Sequence, residues 1–204
     1  MKRFKLASFL DRYDAVLFDM DGVVTSEQMY WNSAALAVFE MYFGSHYYGS
    51  ETLNAAVLSE HMGSIRRRIL CCDQTIRTVK NRGVNSNWDL AYVVLGAALY
   101  LEISGDFKAV LAYLADFEGD VFSLYNAVAE NLSVKFQKTK DYYARLGPFW
   151  QEVKNCFQEW FLGDRLCQKS GFSQPVLCGK PGLLHSEEPL VDKEKLICLL
   201  RLLH

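Results

Sequence analysis

Two carboxylates, Asp19 and Asp21, stand one residue apart where the apolar run Ala15-Val16-Leu17-Phe18 ends and Gly22 follows. On an extended chain alternate side chains share a face, so Asp19 and Asp21 project together while Met20 turns away. Two like charges held that close are costly unless a cation lies between them. Oxygen-only donors favour a hard ion, and the pair therefore predicts a Mg²⁺ site formed by Asp19 and Asp21.

The elements that must position these groups follow from the flanking residues. Four consecutive apolar positions closed by a turn-forming glycine predict a buried strand of a parallel sheet. Ligands of open α/β sheets gather at the carboxyl edge, where Asp19 and Asp21 would emerge. Thr25-Ser26-Glu27-Gln28 has the capping-box pattern and predicts a helix start directly after the motif. A capping turn would need one carboxylate rather than two. An EF-hand loop requires a third acidic position and a closing Glu that are out of place here.

The segment Phe18-Asp19-Met20-Asp21-Gly22-Val23-Val24-Thr25 resembles the first motif of the haloacid dehalogenase (HAD) superfamily, most of whose members are phosphatases and phosphomutases. The resemblance implies that Asp19 is the nucleophile that becomes aspartyl-phosphate and that Asp21 is the general acid/base. It also implies that Mg²⁺ is held by the Asp19 side chain and the Asp21 backbone carbonyl. The expected protein is a Mg²⁺-dependent phosphatase acting on a small phosphorylated metabolite. The alternative expectation is a helical binding or interaction module that retains the motif without catalysis.

With 204 residues, 50% hydrophobic and 23% charged, the chain is long enough and apolar enough to bury a core. A formal net charge of −2 lacks the basic field that nucleic acid or an anionic membrane would require. Met1-Lys2-Arg3-Phe4-Lys5 begins basic, yet too few apolar residues follow for a signal-peptide core. The longest apolar run, Leu90 to Leu101, falls short of the roughly 20 residues that span a bilayer. Cysteines at 71, 72, 156, 167, 178 and 198 lack Cys-x-x-Cys spacing, and they are expected to be reduced, mostly buried thiols. These features predict a cytoplasmic protein.

Beyond the motif, Trp31, Ala35, Val38 and Tyr42 fall on one helical stripe that Gly44 should stop. Helices are predicted over about 73–82, from a cap in Asn85-Ser86-Asn87 to about Ile103, and over 106–117, 120–131 and 138–146. Ile65 to Leu70 is ambiguous. The helix running to about Ile103 is apolar nearly all round and should lie at the centre of a bundle. Pro148 suits a first helical position, followed by the apolar face Phe149, Val153, Cys156, Phe157, Trp160 and Phe161. Glycines and prolines between Gly163 and Pro189 suggest a linker, after which Asp192 caps a last helix.

The expected fold class is α/β, a Rossmann-like core element with a large α-helical cap, the chain as a whole being predominantly α. Residues 1–25 would supply the first core strand, 26–171 the cap, 172–191 the return linker and 192–204 the start of a core helix. The resemblance implies three further motifs after the cap, a Ser or Thr, a Lys and a second acidic pair. Only about 15 residues follow Pro189, so the chain is expected to be an amino-terminal portion, with self-association or a missing core segment completing its sheet. Lys180, in Gly179-Lys180-Pro181-Gly182, is expected to be a solvated linker lysine, and Asp164 a capping or solvated residue. Arg66-Arg67-Arg68 is expected to be a solvated run, because consecutive helical residues cannot face one pocket. His46, His61 and His185 lack ligand partners at metal spacing.

Overall fold

The computed structural model describes residues 22–171 and 175–201. Asp19 and Asp21, and the strand expected to carry them, lie outside the described residues. The chain divides into two compact units, one drawn from Met1–Gln28 and Ser186–His204 and the other comprising Met29–His185.

The protein is predominantly helical, and among the described residues extended pairing is limited to isolated bridges. In the first unit the chain leaving the motif turns at Gly22, whose N–H donates to Thr25 O at 2.7 Å. Thr25 then bridges antiparallel to Pro189. Ser26 N–H donates to Glu188 O at 2.9 Å and Leu190 N–H to Val24 O at 2.8 Å. Farther on, the Asp192 carboxylate accepts from the Glu194 and Lys195 N–H groups, opening the closing helix Lys193–Arg201 as its sequence predicts.

Helix α1, Gln28–Phe43, begins where the capping residues predict, with the Ser26 hydroxyl accepting from Gln28 N–H at 3.0 Å. Its middle, Ala34 to Val38, is fully buried, a wider apolar surface than the single stripe anticipated. Two short helices follow, α2 (Ala55–Glu60) and α3 (Met62–Ile69), and each buries just two side chains, too few for a clear apolar period. Helix α4 spans Gln74–Lys80.

Helix α5, Asn87–Leu101, is the centre of the second unit, and the run Asp89 to Leu99 is buried. It packs on α6 (Lys108–Asp116), α7 (Val121–Phe136) and α9 (Pro148–Leu162), with the single turn α8 (Lys140–Tyr143) joining α7 to α9. All six apolar residues assigned to the α9 face are buried. An all-round apolar helix is stable only when sheathed on every side, which is what these neighbours do.

The breaker-rich stretch after α9 is more ordered than a linker. It contains α10 (Asp164–Lys169), and residues 179–183 lie as a strap against α9 and α10. The Asp164 carboxylate accepts from Gly179 N–H at 2.6 Å and Lys180 N–H at 3.3 Å, while Leu183 N–H donates to Trp160 O at 3.1 Å. Asp164 thus holds the strap, a role beyond the capping expected of it. Gly182 makes the close approach possible: its φ is +84°, and a Cβ there would lie 2.5 Å from Leu162 O. Gly182→Ala is expected to lower the unfolding free energy by about 2–3 kcal/mol through backbone strain and lost strap contacts. Urea denaturation followed by tryptophan fluorescence measures it, and an unchanged midpoint would refute the close approach.

Candidate functional site

The densest group of buried ionisable side chains in the Met29–His185 unit is built by α1, α9 and the strap. Glu40 comes from the last turns of α1. Cys156, Glu159 and Trp160 share one face of α9 through i, i+3 and i, i+4 spacing. Lys180 enters from the strap and is 3% exposed, so it is a core lysine and not the solvated linker residue its surroundings in sequence suggested. The apolar stem needed a partner for its charge, and the fold supplies two.

Lys180 Nζ lies 3.1 Å from Glu40 Oε1, 2.9 Å from Glu40 Oε2 and 2.5 Å from Glu159 Oε2. Trp160 Nε1 donates to Glu40 Oε2 at 2.8 Å, and the Lys180 ammonium stands 5.3 Å from the Trp160 ring centre. Burial pushes the Glu159 carboxyl up, and Lys180 pulls it back only in part. Burial alone would lower Lys180, but Cys156, Glu40 and Glu159 around it raise it further, so the ammonium form is retained. The Cys156 thiol, buried and beside Glu40, is held well above the ordinary thiol range and is inert as a nucleophile at neutral pH.

One ligand atom from each of Glu40, Cys156 and Glu159 lies within 4.8 Å of the others. A mixed thiol and carboxylate set suits a borderline ion such as Zn²⁺ in principle. The Lys180 ammonium already occupies the point between the carboxylates, however, and a second cation there would meet its full repulsion. The cluster is therefore a charge-compensated anchor for the strap. Glu40 and Glu159 were findable in the sequence as acidic interruptions of apolar helical faces, a pattern that demands a cation without revealing which one.

A second buried node is centred on Asp89. Its carboxylate accepts from Trp150 Nε1 at 2.7 Å, Tyr125 OH at 3.1 Å and Arg145 Nε at 3.0 Å. Burial and the adjacent Asp89 push the Tyr125 phenol up to about 12.

Arg67 and Arg68 of α3 are exposed, as expected of a solvated run, although both line one recess, whereas Arg66 is half-buried. Arg66 makes a bidentate pair with Asp73 at 2.9 and 2.8 Å and stacks on Trp31. Arg68 stacks on Phe43 and donates to Gly105 O. Arg67 is exposed. Thiol burial is also less than expected, with Cys156 and Cys167 buried while Cys72, Cys178 and Cys198 are exposed. No helix among the described residues is long and apolar enough to cross a membrane.

No family model matches the chain, and no curated protein does. Its fold is similar to that of an X-ray structure of a Northeast Structural Genomics Consortium target, with a TM-score of 0.69 and 23% sequence identity. The match covers 90% of this chain and 58% of the other, so the chain spans little more than half the length of that structure. At this identity the likeness concerns the fold alone.

Proposed function

We propose that the chain is the nucleophile-bearing and cap-bearing part of a Mg²⁺-dependent phosphohydrolase of the HAD type, acting on a small phosphorylated substrate. The motif Phe18 to Thr25 supplies the chemistry. Support comes from the way residues on either side of the helical unit rejoin: Thr25, at its entry, is bridged to Pro189, at its exit. That arrangement suits a helical insertion hung from a catalytic core by paired entry and exit segments. The α/β core itself is part of the proposal.

In this reading an Asp19 carboxylate oxygen attacks phosphorus, a new P–O bond forms, and the bond to the leaving oxygen breaks. The Asp21 carboxyl gives its proton to that oxygen and later takes one from the water that hydrolyses the aspartyl-phosphate. Asp19 and the Asp21 backbone carbonyl would hold Mg²⁺, which offsets phosphate charge when bound, and their all-oxygen chemistry fits a hard cation. A helical lid favours the reaction by excluding water from the phosphorylated intermediate.

The test is turnover of p-nitrophenyl phosphate with Mg²⁺ by the 204-residue chain and by its Asp19→Asn variant. Activity that falls at least about 10³-fold on substitution agrees with loss of a covalent nucleophile, a group on which the whole reaction depends. Equal rates for the two chains, or no turnover by the unsubstituted one, would overturn the assignment of this activity to the chain and favour an interaction module.

A further inference from the structure

The turn between α3 and α4, together with the segment entering α6, lines a recess of about 480 Å³, open to solvent, within the Met29–His185 unit. It shares no residue with the Lys180 cluster. Its lining is cationic: Arg67, Arg68 and Lys108 face a single carboxylate, Asp106. That carboxylate is already engaged, accepting from Lys108 N–H at 3.0 Å at the start of α6. Among the described residues Arg67, Arg68 and Lys108 have no ion-pair partner, whereas Arg66 beside them is paired with Asp73. Phe107 and Leu111 complete the wall with apolar surface.

The backbone around the cavity is held in a costly form. Cys71, Cys72 and Asp73 are three consecutive non-glycine residues with positive φ, at 48°, 54° and 67°. Each such residue costs about 1 kcal/mol or more, and strain of this kind persists only where the surroundings fix it. The cause is visible on both flanks. The Arg66–Asp73 pair closes the turn from one side, and on the other Arg68 Nε donates to Gly105 O at 3.2 Å. Gly105, at φ +99°, would place a Cβ 2.5 Å from Arg68 Nη2, so glycine there leaves room for the guanidinium. The half-buried Cys71 thiol faces the cavity beside Thr75, and burial keeps it protonated. The result is a partly apolar recess with a constrained backbone and excess positive charge.

We propose that this cavity binds a small organic anion, a carboxylate or a phosphate monoester on an apolar body, with the charge held by Arg67 and Lys108 and the body against Phe107 and Leu111. Cations converging beside apolar surface in a recess attract an anion more strongly than the same charges dispersed over a flat surface do. Desolvating the body adds to the binding. The site makes no use of Asp19 or Asp21 and stands whether or not the chain hydrolyses phosphate esters.

The cysteines of the turn provide the readout. Alkylation of the Cys71–Cys72 peptide is followed by mass spectrometry with iodoacetate, an anion, and iodoacetamide, its neutral counterpart, using exposed Cys178 as internal reference. In the Arg67→Ala/Lys108→Ala variant, which alters two exposed side chains and leaves the core intact, the iodoacetate-to-iodoacetamide rate ratio should fall at least threefold. In the unsubstituted chain, millimolar phenyl phosphate or benzoate should slow alkylation of this peptide and not of Cys178. Protection by phenyl phosphate alone identifies a phosphate ligand, and protection by benzoate alone a carboxylate. A smaller fall in the ratio, or protection by neither compound, overturns the proposal.

Discussion

Lys180→Met is expected to destabilise the protein by about 3–5 kcal/mol at neutral pH, because it leaves two carboxylates buried without their cation. Glu40 is 2% exposed and Glu159 4%, so water cannot replace the lost ammonium. The sign of the pH dependence follows from the same groups. Lys180 is raised in the fold, so its contribution is complete below its unfolded value of 10.5 and is lost as pH rises through the folded one. Glu159 is also raised, so the folded state binds its proton more tightly than the unfolded state does. Stability therefore increases as pH falls toward 4.5 through the window above that value. Removing the lysine widens this window, and the variant should recover part of its loss at about pH 5, where the Glu159 carboxyl can take up a proton.

Urea denaturation of the variant at neutral and mildly acid pH measures both effects. The triple variant Glu40→Gln/Glu159→Gln/Lys180→Met provides the control: with both charges removed, most of the lost stability should return, since a buried ion pair is strongly destabilising mainly when half of it is deleted. A Lys180→Met loss below about 1 kcal/mol, the range of an exposed pair, would show that the ammonium does not sit between the carboxylates.

Asp89→Ala is the second large effect, expected at about 3–4 kcal/mol. The substitution strips the Trp150 indole N–H and the Tyr125 hydroxyl of their acceptor, and both groups are buried. Each unsatisfied buried group costs about 1–3 kcal/mol. Arg145 contributes less to the total, because its side chain is 38% exposed and can be rehydrated. Asp89→Asn retains an acceptor for one donor and should fall between the two. Unfolding followed by Trp150 fluorescence, with Trp88, Trp31 and Trp160 accounted for by Phe substitutions, separates the local change from the global one. Equal stabilities for the Ala and Asn variants would argue against the shared acceptor.

Much of the helical architecture is written locally. Ser86 caps α5 through Asp89 N–H, Asp120 caps α7 through Ser123 N–H, and Pro148 opens α9, all with short-range chemistry that a window of a few residues contains. The apolar face of α9 is equally plain, since its spacing follows the helical repeat. Helices α2 and α3 are less so. In α3 the buried pair Ile65 and Ile69 has helical spacing, but three arginines between them mask it. The left-handed run at Cys71 to Asp73 has little sequence sign, because only Asp73 is of a type that readily takes positive φ and the two cysteines before it are not.

The sequence by itself determined where most helices begin and end and which central helix must be sheathed. Those features depend on neighbours in the chain and on the helical period. Tertiary structure alone decided the fate of the charges. Glu40 meets a lysine 140 residues away and Asp89 an indole 61 residues away. Whether a lysine beside glycines is solvated or buried depends on what the fold brings to its ammonium, and no local pattern carries that information. Coulomb attraction and desolvation act between groups that become neighbours only after the helices pack.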